Sequence, residues 1–268
     1  MSDVTSFTAW TPDDAARRIA VPDEHDDKYT RGVLGVITGS EMYPGAAVLG
    51  VEAAAHTGVG MIRYVGEAKE LVLQRRPEVV TADGRVQAWL LGSGTDHVDR
   101  QLEPLLAALA QGLPTILDGG ALDLHGRATG AVIITPHYGE LARVLGVDRA
   151  AVAADPAGFA RRTADDLGVT VLLKGHTTYI AGPDAALTVS SAPTWLATAG
   201  AGDALAGILG ALVATQPDGN PAELAATAAV LHGLAAARAS GGGPLTILGL
   251  AAALPATIAE LLARRRVE

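Results

Sequence analysis

The 268-residue sequence predicts an α/β fold, a mostly parallel sheet wound with helices. Short β-type runs alternate with helix-type runs from about Gly32 onward, which is the pattern of strands linked by crossover helices. The hydrophobic fraction is 49% with only 4% aromatic, an apolar mass of Ala, Val and Leu that suits helices stacked on buried strands. Polar and glycine-rich clusters fall where the predicted strands end, the edge at which open α/β sheets place ligands.

In chain order, Val33–Ile37, Ile62–Val65, Ala88–Leu91, Thr115–Leu117 and Val132–Ile134 are short and apolar and read as buried strands. Gly45–Thr57, Asp99–Ala110 and Gly139–Leu145 carry helical patterning, the first with Pro44 near its opening turn. The helix Pro156–Leu167 leads into Val169–Leu173, Tyr179–Ala181 and Leu187–Val189. The links between these three strands are short and contain Gly-His and Gly-Pro-Asp, so they are expected as antiparallel hairpins at the edge of the sheet. Three helices follow, Asp203–Thr215, Ala222–Ala239 and Ile247–Arg264, the last after the loop Ser240-Gly241-Gly242-Gly243-Pro244. Residues 1–27 hold little apolar material and are expected as an N-terminal arm laid over the domain or a neighbouring subunit, with one domain over 28–268.

The net charge of −9, with no basic run before Arg264-Arg265-Arg266, argues against nucleic acid and anionic membranes as partners. With no cysteine, disulfides, thiolate catalysis and Cys-based metal centres are excluded. Met1–Pro22 lacks the basic start and apolar run of a signal peptide, and stretches such as Leu205–Val213 are too short to span a bilayer, so a cytoplasmic protein is expected. Alanine-rich helices and the arm suit a homo-oligomer, a dimer or tetramer.

The most informative stretch is Leu196-Ala197-Thr198-Ala199-Gly200-Ala201-Gly202-Asp203, which runs into a helix. Small residues admit a ligand to the backbone, and a helix start offers unpaired N–H groups to an anion. A carboxylate there would repel phosphate, yet it suits removal of a proton from a hydroxyl that attacks a phosphoryl group. Asp203 is therefore the candidate base and Gly200, Ala201 and Gly202 the candidate anion hole.

The other clusters are weaker alone. Thr38–Ala47 and Gly92-Ser93-Gly94-Thr95-Asp96 are compatible with a ligand or with ordinary connections, and the missing third glycine argues against a dinucleotide fingerprint. Asp118 ends a strand as a metal or hydroxyl partner, or as a helix cap. In Thr135–Glu140, Glu140 suits a capping box with His137, a poor cap, which leaves His137 free to meet a ligand. Lys174-Gly175-His176-Thr177-Thr178 is a phosphate or ribose cradle or a plain hairpin turn. His232, inside a helix, reads as a packing or hydrogen-bonded histidine. The seven histidines are scattered, so no protein-caged transition metal is expected, while Mg²⁺ held mainly by nucleotide phosphates stays open. Walker, protein-kinase and Gly-x-Ser-x-Gly signatures are absent.

Gly200-Ala201-Gly202-Asp203 resembles the Gly-x-Gly-Asp anion hole and base of the ribokinase-like superfamily. Together with Thr135–Glu140, Lys174–Thr178, Gly39-Ser40, Pro44–Ala47, Leu117-Asp118, Ala121-Leu122 and Leu231-His232-Gly233, the run from Leu196 to Gly207 resembles the ADP/ATP-dependent NAD(P)H-hydrate dehydratases. These matches cover most of the chain from Lys28, in the family's order. Departures are Gly92-Ser93-Gly94 for Gly-Pro-Gly, Gly119-Gly120 within the usual Asp-Ala-Asp-Ala-Leu, Ala201 for Ser, and Ser191–Trp195 for an Asn-Pro-Gly segment.

The resemblance implies a ribokinase-like three-layer α/β/α sandwich. It implies nucleotide-dependent dehydration of the S form of hydrated NADH or NADPH, with ADP or ATP as co-substrate and Mg²⁺. By the same correspondence Lys174, Gly175, His176, Thr177, Thr178 and Gly202 contact the nucleotide, while Ala46, Gly94, His137 and Asp203 line the hydrated-cofactor side. The length fits members without a fused epimerase domain, which implies pairing with a separate NAD(P)H-hydrate epimerase. Two alternatives stay open at this point: a ribokinase-like small-molecule kinase, and a non-catalytic nucleotide-binding protein.

Overall fold

The computed structural model describes residues 6–95 and 99–265, so Asp96 and Arg266 lie outside the described residues. In chain order the elements are β1 (Thr8–Ala9), α1 (Pro12–Arg17), β2 (Val33–Ile37), α2 (Pro44–Thr57), β3 (Met61–Tyr64), α3 (Lys69–Arg75), β4 (Ala88–Leu91), α4 (Asp99–Leu109) and β5 (Thr115–Leu117). A 3-10 stretch, Gly119–Arg127, leads to β6 (Val132–Ile134), α5 (Tyr138–Leu145), α6 (Arg149–Ala154) and α7 (Pro156–Leu167). Then come β7 (Thr170–Leu173), β8 (Thr178–Gly182), β9 (Ala185–Val189), α8 (Ala201–Thr215), α9 (Pro221–Ser240) and α10 (Ile247–Arg265).

The described strands form one sheet in the order β1-β9-β8-β7-β6-β5-β4-β2-β3. Pairing is parallel from β3 across to β7, antiparallel through β8 and β9, and parallel again between β9 and β1. Alternate side chains divide the core between the two faces of the sheet. Leu34, Val36, Leu90 and Ile116 face one layer with α1, α2, α8, α9 and α10. Val33, Ile37, Leu91 and Leu117 face the other with α4, α5, α6 and α7. The result is a three-layer α/β/α sandwich on a mostly parallel sheet, as the resemblance implies, but the antiparallel β7–β8–β9 run expected at the edge lies one strand in, because β1 adds a parallel strand beyond β9.

Residues 8–19, within the predicted arm, lie against this same core: β1 pairs with β9, and Ala15, Ala16 and Ile19 are buried beside α9 and α10. Local signals start α1 at Pro12. Thr11 caps the helix, Pro12 fills its first position, and Asp14 completes a capping box. By length and composition α10 is apolar enough to cross a membrane, but Leu250, Leu254 and Leu261 are buried and the helix packs on α1, α2 and α9.

Helices α2 and α8 cross at close range. A Cβ on Gly207 would lie 2.1 Å from the Gly50 carbonyl oxygen, so this crossing tolerates no side chain there. It fixes the first turn of α8 over the sheet. On the same α2, Glu52 is 1% exposed and receives hydrogen bonds from Arg75 (2.9 Å) and Arg76 (2.5 and 2.8 Å). Burial pushes its carboxyl pKa up, but the two guanidinium groups outweigh that and hold it below the usual glutamate value. Stability from this group is present above the ordinary glutamate pKa and is lost as pH falls through the lowered folded value. Because both arginines are partly exposed, Glu52→Gln should cost only about 2 kcal/mol at neutral pH, read as a lower urea midpoint, with the deficit closing in acid. An unchanged midpoint at neutral pH would contradict this.

Candidate functional site

Parallel pairing brings the C-terminal ends of β4, β5, β6 and β7 to one edge. Leu91 is in register with Leu117, Leu117 with Ile134, and Ile134 with Val171. The residues just beyond these ends, Ser93, Asp118, Thr135 and Lys174, therefore meet. Asp118 is buried and accepts hydrogen bonds from Ser93 Oγ (2.9 Å), Thr135 Oγ1 (2.7 Å) and Lys174 Nζ (2.9 Å). Ser93 stands where the resembled family has proline, and its hydroxyl supplies a bond that proline lacks. Glu140, at 3.7 Å, is a second carboxylate for the Lys174 ammonium. Burial alone would raise the Asp118 carboxyl and lower the lysine, yet their mutual attraction reverses both, so Asp118 stays ionised and Lys174 protonated.

Gly200, at φ 87°, turns the chain into α8 in a left-handed conformation that favours glycine. Helix bonding starts with Ala204, whose amide donates to the Gly200 carbonyl at 3.1 Å. Ala201 makes a long 3.4 Å contact to the Thr198 carbonyl, while the amides of Gly200, Gly202 and Asp203 have no protein acceptor among the described residues. Lys174 reaches this turn: a Cβ on Gly202 would lie 3.2 Å from its Nζ. The anion hole thus combines open amides with an ammonium group. The helix begins at Ala201, two residues before the predicted start, so Asp203 is its third residue.

No described residue hydrogen-bonds the Asp203 carboxylate. Burial pushes its pKa up, the Asp118 charge adds to that, and Lys174 offsets part, leaving it at about 6. A carboxylate of that pKa, beside open amides, can accept a proton near neutrality.

Two hollows lie at this edge. The larger, about 720 Å³, is lined by His137, Lys174, Gly175, His176 and Thr178, by the segment 191–199, and by Ala201, Leu205, Ala229 and His232. Thr177, from the same turn, accepts a hydrogen bond from Ser190 Oγ (3.1 Å). The smaller, about 380 Å³, is lined by Tyr43, Gly94, Thr95, Gly119, Gly120, Glu140 and Arg143. Ala46 adjoins it, since a Cβ on Gly94 would fall 2.4 Å from the Ala46 methyl. Lys174 lines one hollow and Glu140 the other.

His137, expected on the hydrated-cofactor side, borders the larger hollow. Its Nδ1 accepts from the Gly139 and Glu140 amides (3.0 Å each) and Glu140 Oε2 accepts from its backbone N–H (2.7 Å), so the imperfect cap is used. The sequence alone does not assign Glu140 as a charge partner, the Ser93 hydroxyl as a donor to Asp118, or residues 191–194 as a wall of the hollow. Glu140 carries a capping signal that masks its second role, while Ser93 and 191–195 stand out only as departures from the family pattern. Among the described residues no three His, Cys, Asp or Glu side chains group as a metal cage.

A family model described as NAD(P)H-hydrate dehydratase matches residues 34–248. The bifunctional NAD(P)H-hydrate repair enzyme of Mycobacterium tuberculosis is 43% identical over 235 residues, 82% of this chain, and the chain spans about half of that relative's length (48%). An ADP-dependent (S)-NAD(P)H-hydrate dehydratase of Neisseria meningitidis is 36% identical, covering 80% of this chain and 79% of its own. The crystal structure of the Bacillus subtilis ADP/ATP-dependent NAD(P)H-hydrate dehydratase, co-crystallised with ATP/Mg²⁺, superposes with a TM-score of 0.87 at 26% identity. It covers 96% of this chain and all (100%) of the other. The fold is ribokinase-like. On the match of residues 34–248, with relatives of this identity and coverage, the chain belongs to the NAD(P)H-hydrate dehydratase family.

Proposed function

We propose that the protein dehydrates the S form of hydrated NADH or NADPH, using ADP or ATP, and so restores NAD(P)H. The observation that carries this reading is Asp203, an unpaired carboxylate of raised pKa at the head of a helix whose first amides are open. The larger hollow takes the nucleotide at Lys174, Gly175, His176 and Thr178, with Thr177 and Gly202 contacting it from beside that lining. The hydrated nicotinamide approaches Asp203 from the side of Ala46 and Gly94, and His137, which borders the larger hollow, lies toward the nucleotide.

Asp203 removes the proton of the C6 hydroxyl as its oxygen attacks the terminal phosphorus. The new P–O bond forms while the bond to the nucleotide leaving group breaks, and the open amides with Lys174 balance the transferring charge. Water is a poor leaving group and phosphate a good one. The ring nitrogen lone pair then expels phosphate, and loss of the C5 proton restores the dihydropyridine. With ADP the products are AMP and phosphate.

Asp118 acts through Lys174, as a positioning residue rather than a direct contact. Mg²⁺ fits here as an ion carried by the phosphates, because the described residues form no cage and Lys174 is already the cation paired with Asp118 and Glu140. When bound it would supply positive charge that offsets the phosphates. Pairing with an NAD(P)H-hydrate epimerase is supported by the bifunctional relative. A cytoplasmic homo-oligomer, dimer or tetramer, completes the reading.

Mixed with hydrated NADH and ADP or ATP, the protein should restore dihydropyridine absorbance at about 340 nm in step with nucleotide breakdown. Nucleotide consumption without recovery would instead indicate a kinase. Asp203→Asn should lower turnover by at least ~10² while the protein still folds. Because the base must be ionised, wild-type kcat/KM should rise with pH through about 6. Near-normal turnover in the variant, or a flat profile through that region, would remove Asp203 from the role.

A further inference from the structure

Two residues that line the larger hollow each carry a buried polar atom with no hydrogen-bond partner among the described residues, Nε2 of His232 and Oγ of Ser191. His232, on α9, is 7% exposed. Ser191 lies directly against the same helix, since a Cβ on Gly233 would fall 2.4 Å from its Oγ. Val189, Leu205 and Ala229 line the hollow with them. An orphaned buried polar atom costs about 1–3 kcal/mol and calls for an explanation. Two of them on residues that line one ligand-sized hollow, among apolar side chains, indicate groups held ready for a ligand.

The chemistry of that ligand portion follows from what surrounds it. The positive end of the hollow is Lys174 and the open first turn of α8, which suit phosphate. His232 offers no charge: burial drives its pKa down to about 4, and the nearby Lys174 opposes protonation further, although an Ala201 backbone contact favours it. A neutral imidazole nitrogen and a hydroxyl in apolar surroundings match an uncharged polar edge, not an anion.

We propose that His232 Nε2 and Ser191 Oγ hydrogen-bond the nucleoside part of the nucleotide, its base edge or a sugar hydroxyl, while its phosphates lie at the head of α8. This deepens, and rests on, the nucleotide-dependent reading above.

The test is calorimetric titration of the wild type, His232→Leu and Ser191→Ala with ADP, 2′-deoxy-ADP, purine riboside diphosphate and inorganic pyrophosphate. Each substitution should weaken ADP by about 10-fold and leave pyrophosphate unchanged. A loss that disappears with 2′-deoxy-ADP assigns the contact to the sugar, and one that disappears with purine riboside diphosphate assigns it to the base. Ser191→Ala removes only a hydroxyl and decides the matter if His232→Leu fails to fold. Unaltered ADP affinity in the folded variants, or equal losses for ADP and pyrophosphate, would overturn the subsite. Failure of the wild type to bind ADP at all would overturn the nucleotide reading and the subsite with it.

Discussion

Asp118 and Lys174, joined at 2.9 Å where β5 and β7 end, set the electrostatics of the whole edge. Asp118 has both oxygens occupied, by Ser93, Thr135 and Lys174, so it is held in one geometry and remains ionised. It also fixes where the ammonium sits, against the first turn of α8. Asp203 is then left with the repulsion of Asp118, only part of the attraction of Lys174, and the penalty of burial. A buried ion pair is weak evidence for stability, since desolvation consumes most of its attraction. Its clearer effect here is to keep one carboxylate charged and the other near its protonation point.

The apolar body of the fold serves that arrangement. Helix α8 is buried from Ala204 to Ala214, and α2 meets it closely enough at Gly50 and Gly207 to exclude a side chain. A helix held so tightly presents its amides at a fixed place, and charge stabilisation by preorganised donors needs no rearrangement during reaction. Another part of the lining, residues 191–199, carries little regular structure beyond the 3-10 turn Thr194–Leu196. A fixed and an irregular segment thus both line the larger hollow, as do Ser191 and His232 with their orphan atoms.

Much of this was legible in the sequence because local and global signals agree. Strand pattern gave the parallel centre, and short Gly-containing links gave the antiparallel β7–β8–β9 run. The coupling of small residues to a carboxylate before an apolar helix marked Gly200–Asp203. Less visible were elements that depend on tertiary pairing: β1 is two residues long and holds only through β9. Helix α1 was readable in principle from Thr11-Pro12-Asp13-Asp14, a capping signal inside a polar segment. The convergence of Ser93, Asp118, Thr135 and Lys174 required strand order and register, which residue patterns did not supply. The sequence suggests a packing or hydrogen-bonded role for His232; it is buried, while its Nε2 finds no protein partner among the described residues.

Burial, with an Asp118–Lys174 pair that leaves Asp203 unpaired, makes Asp203 titrate near neutrality. Carbon NMR of the protein labelled at aspartate side-chain carboxyl groups measures this directly, with Asp203→Asn assigning the signal. The account predicts one aspartate titrating at about pH 6 that is missing from the variant. An Asp203 signal that titrates at or below the ordinary aspartate value, about 3.9, would contradict it.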